Sequence, residues 1–232
     1  MTVSPIPILF DVGEVVAVSK PEGLASIRER REGSPFLQGV LSEQLGCRLF
    51  VVHRLDKDVS GVILFARTPE AHRDLSLQFE NREVEKTYVA LVFGTVTPDE
   101  GAIDSPLRAF GSGRIAVDRL RGKPCRTEFR VLDRRAGWTV VEVKPRTGRR
   151  HQIRAHFYSM GHPVAGDPLY GDQRSRAGMS RLMLHAESIA FRLLDRRAIT
   201  VRAPWPESFG RVIETVLPAA GESIQAGRLR QR

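Results

Sequence analysis

Cysteine is nearly absent: Cys47 and Cys125 are the only two in 232 residues. Two are too few for a disulfide framework or a cysteine zinc site, so a reducing, cytoplasmic setting is expected. No run of about 18 apolar residues occurs, and the opening MTVSPIPILF lacks the basic start and sustained apolar stretch of an export signal. Neither export nor a membrane span is expected. Internal repeats and linker-like stretches are missing too, so residues 1–218 are expected to form one domain. The last stretch, 219–232, has no periodic apolar residues and is expected to be a mobile tail. Acidic residues are the minority charge: 27 Asp and Glu face 36 Lys and Arg, a formal net charge of +9. That balance points to a polyanionic partner, and the dominance of arginine suits bidentate phosphate contacts.

With 41% hydrophobic residues the chain can bury a core. Val15–Ser19 has strand character and closes at Lys20-Pro21-Glu22-Gly23. Ser34-Pro35 offers a cap and a first-turn proline, and Leu37, Val40, Leu41 and Leu45 follow at helical spacing, which predicts a helix over 35–45. Thr68-Pro69-Glu70 repeats the signal for a helix ending near Asn81. Lys86–Phe93 is a strand by propensity, 98–124 is turn-rich with at most short strands, and 126–132 with 138–144 form a hairpin around Arg135-Ala136-Gly137. Leu182–Phe191 and Ile199–Ala203 are further strands, and Pro206–Leu217 a final helix.

Two stretches carry chemistry. In LFVVHRLDKDVSGVILFART, residues 49–68, two apolar runs flank a polar segment holding His53, Arg54, Asp56, Lys57 and Asp58, with Ser60-Gly61 as its turn signal. Asp56, framed by apolar residues, is partly desolvated and needs a cation or several donors to stay ionised. Aspartates in turns commonly bond local amides, so a plain turn role competes with a catalytic one. The second stretch, KPRTGRRHQIRAHFYSMG at 144–161, is expected to be helical, with Thr147 as cap, Ile153, Phe157 and Met160 on one face, and Gly161 ending it left-handed. Arg150, Arg154 and Tyr158 then share the other side. Arg149, Arg150, His151 and Arg154 crowd the helix start, where the macrodipole disfavours cations unless something negative, a phosphate of the polyanionic partner or Asp56, sits there.

Together HRLDKDVSG and TGRRHQIRAH, in that order, resemble the signature motifs of the RluA family of RNA pseudouridine synthases. Over about 8–205 the similarity extends through VSKPEGL, EKTYVALVFG, GKPCRTEFR, GHPVAGDPLYG and LMLHAESIAF. The resemblance implies an α+β catalytic domain on a mixed, mainly antiparallel sheet flanked by helices and loops. It also implies isomerisation of uridine to pseudouridine in tRNA or rRNA, without metal or other cofactor. It places the catalytic carboxylate on Asp56, the active-site tyrosine on Tyr88, the arginine that pairs with the carboxylate on Arg154, the residue that fills the flipped base's gap on Arg54, and a uracil contact on Ala155. His53, Arg149, Arg150 and His151 are expected to face RNA. Val59 and Arg150 depart from the family pattern, each standing where Thr or Ser is usual. The chain is expected to act as a monomer, with no accessory RNA-binding domain ahead of the catalytic one.

Two other readings remain open on sequence. One is an RNA-binding protein of the same fold without catalysis, motivated by the two departures. The other is a metal-dependent hydrolase built on His53, Asp56, His151 and His156, although His151 and His156, five apart, do not project from one helix face.

Overall fold

Apolar residues at Val15, Ala17, Val62, Leu64 and Ala66 recur at the two-residue period of strands, and they gather with Ala71, Leu75, Ile189, Phe191 and Val201 in one buried cluster. A computed structural model describes residues 4–29, 33–111 and 113–216. In chain order the elements are β1 (Ile8–Val12), β2 (Val15–Lys20), α1 (Leu37–Leu45), β3 (Phe50–Val51), β4 (Ser60–Ala66), α2 (Pro69–Glu80), β5 (Glu85–Phe93), β6 (Glu100–Asp104), β7 (Leu107–Ala109) and β8 (Ile115–Val117). There follow β9 (Arg126–Arg135), β10 (Trp138–Pro145), α3 (Gln152–Ser159), α4 (Gln173–Arg176), β11 (Leu184–Arg192), β12 (Ala198–Arg202) and α5 (Glu207–Val216). The fold is α+β, as expected.

These elements fall into two compact units, with the boundaries inside β5 and β11. The first takes the described residues up to Lys86 together with Ala186–Pro204. Its strands run in the order β1-β2-β4-β11, with β12 antiparallel to β11 and β3 antiparallel to β4. Every residue of β4 is buried, so it is the central strand of this unit. The second unit takes Thr87–His185 and the described residues from Trp205 onward. Its strands are ordered β5-β10-β9-β6, all antiparallel, with the β7–β8 hairpin apart. Phe209 and Ile213 of α5 close its core against Val89, Leu91 and Val140. The β9–β10 turn falls where the sequence puts it, with Ala136 and Gly137 both at positive φ, 50° and 78°.

Several local expectations are corrected. Ser60-Gly61 is no turn: both residues lie inside β4, and the chain turns at Lys57-Asp58. Gly61 is there because a neighbouring backbone comes too close for a side chain, since a Cβ would lie 2.2 Å from the carbonyl oxygen of Ala186. With φ at 121°, Gly61→Ala is expected to cost about 3 kcal/mol. A urea midpoint equal to that of the wild type would contradict the packing described. The strand expected over Leu49–Val52 shrinks to Phe50–Val51 because Gln38 takes the Leu49 carbonyl at 2.8 Å.

Helix α1 starts at Leu37 rather than at Pro35, and Phe36 caps it without a side-chain bond. Its first amides are instead satisfied by tertiary partners, Leu37 donating to Ala25 (2.8 Å) and Gln38 to Ser26 (3.2 Å). Helix α2 follows its sequence signal, with Thr68 accepting from the Ala71 amide at 3.2 Å and Asn81 at the C-cap. The tail at 219–232 lies outside the described residues.

Candidate active site

The polar segment between β3 and β4 is fixed by its backbone. Ser26, itself buried, accepts from the Leu55 amide (3.1 Å) and donates to the Leu55 carbonyl (2.7 Å). On the other side, the Lys57 carbonyl accepts from the Gly23 amide (3.0 Å) and from the Lys20 ammonium (2.8 Å). Lys20 is fully buried, and its ammonium also donates to the carbonyls of Leu24 (2.7 Å) and Pro21 (2.8 Å). Burying an ammonium is tolerable when all its donors are used, and these three carbonyls use them. Asp56 therefore stands, half-buried, between two residues whose main chains are both pinned, and its own carbonyl accepts from Val59 at 3.1 Å. The motif VSKPEGLAS thus supplies the clamp for HRLDKDVSG. Arg54 is exposed on the same segment. Val59 is buried, so the hydroxyl missing there is replaced by packing.

His53 serves this clamp as well. Its Nε2 accepts from the Leu64 amide of β4 at 2.9 Å, which puts the proton of the neutral ring on Nδ1, and the ring stacks on Phe79 at 4.7 Å. Burial first, and then the Lys86 ammonium, push its pKa down to about 3. The folded value lies below the unfolded one, so unfolding takes up a proton as pH falls between the two. The stability that His53 contributes is full above about pH 6.5 and is lost as the pH drops towards 3. His53→Gln is expected to flatten the acid limb of the stability curve by up to about 1.4 kcal/mol per pH unit. Parallel acid limbs for variant and wild type in pH-dependent urea titrations would refute this.

In the second unit, the expected helix forms as α3 but starts later. His151, left-handed at φ 51°, is its N-cap, so Arg149 and Arg150 lie in the turn before it, both exposed, and Arg150 does not share a helical side with Arg154. Thr147 is no cap. Its hydroxyl donates to Gln152 Oε1 (2.8 Å), which also accepts from the Arg149 amide (3.0 Å), while Gln152 Nε2 donates to the Arg126 carbonyl and to Thr127 Oγ1 (both 2.9 Å). Gly161, at φ 80°, follows the helix end as expected.

Arg154 is buried, not on a solvated basic face. Its Nε and Nη2 fork onto Asp167 at 2.7 and 2.8 Å, and Asp167, with no exposed surface, also accepts from the amides of Leu169 (2.9 Å) and Tyr170 (3.0 Å). The bidentate geometry fixes the guanidinium plane. Tyr170 is the hub beside it: Arg154 lies over its ring at 5.2 Å, and its hydroxyl accepts from the Ile115 amide (2.8 Å) and meets His151 Nδ1 (3.1 Å). Ala155 is buried in the cluster of Leu107, Ile115, Cys125 and Tyr170 beneath the β7–β8 hairpin. Tyr88 is half-buried on β5, opposite Val143 of β10. The two nitrogens of His156 are occupied by Thr127 Oγ1 (2.8 Å) and the Ser105 carbonyl (2.9 Å), and that of His53 by Leu64, so neither imidazole offers those lone pairs to a metal.

Sequence reasoning missed Lys20, Ser26, Gln152, Asp167 and Tyr170. Asp167 and Tyr170 sit in GDPLYG, where turn residues dominate, and nothing local marks a carboxylate there as buried. The signal that could have found Asp167 was a demand: an arginine buried in α3 needs a carboxylate.

The family model described as RNA pseudouridylate synthase matches residues 14–159. An uncharacterised RNA pseudouridine synthase of Zymomonas mobilis is 38% identical over 210 residues, covering 87% of this chain and 94% of its own. The dual-specificity RNA pseudouridine synthase RluA of Escherichia coli is 40% identical over 185 residues, covering 78% of this chain and 84% of that one. Among solved structures, human RNA pseudouridylate synthase domain containing 1 matches with a TM-score of 0.76 at 27% identity, over 89% of this chain and 86% of that one. With both signature segments inside the matched region and most of each relative's length covered, this chain belongs to the RNA pseudouridylate synthase family as an RluA-type RNA pseudouridine synthase, an isomerase.

Proposed function

We propose that this enzyme isomerises uridine in structured tRNA or ribosomal RNA, with Asp56 as the catalytic carboxylate. The observation that carries this reading is the double backbone clamp on either side of Asp56, which fixes the carboxylate's origin as a positioned catalytic group requires. Arg154, its guanidinium fixed by the fork onto Asp167, is the second-motif arginine of this reading, and Tyr88 lies against the target base and serves proton transfer. The C1′–N1 bond breaks, the uracil turns while held, and C5 bonds to C1′. N1 gains a proton and C5 loses one, so the product is an isomer of the substrate. Attack of Asp56 on the ribose and removal of the C2′ proton both need the ionised carboxylate.

Arg54 fills the space left by the extruded base, whose unstacking costs a few kcal/mol. Ala155 contacts the uracil, His151 borders the bound RNA, and the exposed Arg149 and Arg150 bind phosphate, so affinity falls steeply with salt; His53, expected to face RNA, is instead enclosed against Phe79 and the Leu64 amide and acts through the clamp. No cofactor or metal takes part in this reading, which treats residues 1–218 as one monomeric catalytic domain in the cytoplasm. None of the helices among the described residues is long and apolar enough to cross a membrane. The test is tritium release from unfractionated tRNA and rRNA labelled at uridine C5: release with pseudouridine in the digest is expected, and no release from any RNA by folded protein would overturn the proposal.

A further inference from the structure

Leu120 is 94% exposed, far beyond any other large apolar side chain described. A single exposed leucine needs no explanation by itself; its setting does. The turn that carries it is tied down from several sides. Asp118 Oδ1 accepts from the amides of Leu120 (3.1 Å) and Arg121 (2.9 Å), and its Oδ2 pairs with Arg108 at 3.0 Å. The Asp118 amide donates to Pro106 (2.9 Å) and the Gly122 amide to Asp118 (2.8 Å). The backbone is so close here that a Cβ on Gly122 would lie 2.3 Å from the Asp118 carbonyl oxygen. The base of the turn is anchored in turn, since Lys123 and Leu107 exchange both backbone bonds, at 2.9 and 3.0 Å.

The flanking charges differ from several arginines of the same unit. On the same unit Arg126, Arg134 and Arg146 are all spent on carboxylates. Arg119 and Arg121 are exposed, and among the described residues neither forms a salt bridge. A rigid turn thus holds one apolar side chain in water between two exposed guanidinium groups, that of Arg119 and that of Arg121, the latter also in the field of the Asp118 carboxylate. Phosphates beside a nucleobase present the complementary pattern, charge on either side of an apolar face.

We propose that the 118–122 turn is an RNA-gripping finger, in which Leu120 packs against an unstacked base of the substrate RNA while Arg119 and Arg121 hold the neighbouring phosphates. This rests on the chain acting on RNA, and it assigns the finger to binding and not to bond making. Because the turn is preorganised, little ordering entropy is lost when RNA docks. Apolar side chains set against bases in this way are a general means of holding distorted nucleic acid.

The experiment compares wild type with Leu120→Ala, Leu120→Trp and the double variant Arg119→Gln/Arg121→Gln, using unfractionated bacterial tRNA and rRNA as probes. All these side chains project into solvent, so each variant should fold. Leu120→Ala is expected to weaken binding about fivefold with an unchanged salt dependence, raising KM and leaving kcat at saturating RNA as it was. The double arginine variant is expected to reduce the slope of log affinity against log salt by about 1.5. The Leu120→Trp fluorescence, taken as a difference from wild type, should be quenched when RNA is added. Wild-type affinity in Leu120→Ala together with an unquenched tryptophan would overturn the proposal. If Leu120→Ala binds weakly but the wild type forms no pseudouridine, the finger stands and the catalytic reading falls; pseudouridine formation by the wild type with an unchanged KM and affinity for Leu120→Ala gives the reverse.

Discussion

Replacing Asp56 by asparagine should abolish pseudouridine formation, by at least about 10³-fold in kcat/KM, while RNA affinity stays within about twofold and the melting temperature barely moves. The reason for expecting so clean a separation lies in how the residue is held. Its neighbours are fixed through backbone groups, Leu55 by Ser26 and Lys57 by Lys20 and Gly23, and none of those bonds uses the Asp56 side chain. Asparagine keeps the shape and removes the charge, and a neutral amide neither attacks C1′ nor takes a proton from C2′. The comparison is made by single-turnover tritium release alongside filter binding. Residual activity within tenfold of the wild type would show that another group does the work. A wild type that binds RNA and is itself inert would favour the non-catalytic reading of the same fold.

The second large effect is expected at Asp167. Asp167→Leu leaves the guanidinium of Arg154 without the carboxylate that receives its Nε and Nη2, and leaves the amides of Leu169 and Tyr170 without their acceptor. Breaking a buried ion pair from one side costs about 3–5 kcal/mol, so the variant should lose a large share of a typical domain's stability. Activity should fall at least about a hundredfold as the arginine loses its orientation. Instability alone could produce the same loss, and the double variant Asp167→Leu/Arg154→Met separates the two causes. With both charges gone the site is apolar, and stability should recover by about 2 kcal/mol or more relative to the single variant. Activity should not recover, because the arginine proposed to take part in catalysis is gone. A stable and active double variant would reduce the pair to a structural role.

Much of the molecule was legible in one dimension, for identifiable reasons. The α2 boundaries follow from Thr68, Pro69 and Asn81, whose side chains and ring act within a few residues of themselves. The β9–β10 turn follows from Ala136-Gly137, because a tight hairpin demands positive φ and glycine meets that demand locally. Where the sequence misled, a distant partner had intervened. Ser34-Pro35 is a sound helix start, yet α1 begins at Leu37 because the carbonyls of Ala25 and Ser26 are there to receive its first amides. Gly61 has the composition of a turn and the function of a gap, opened for the backbone of Ala186. Arg154 has the spacing of a surface cation and is buried because a carboxylate thirteen residues later folds back to meet it.

The sequence by itself carried the reaction class through its motifs: HRLDKDVSG, EKTYVALVFG and TGRRHQIRAH resemble those of RluA-type pseudouridine synthases, although residue types and spacing alone would not have named the reaction. It determined the basic character as well, because net charge is a sum and needs no geometry. Only the tertiary structure decided what keeps those groups in place: a buried ammonium at Lys20, a hydroxyl at Ser26 and a carboxylate at Asp167, each acting across more than ten residues of chain. Such partners leave no periodic trace, because a hydrogen bond fixes where two atoms meet in space and sets no spacing along the chain.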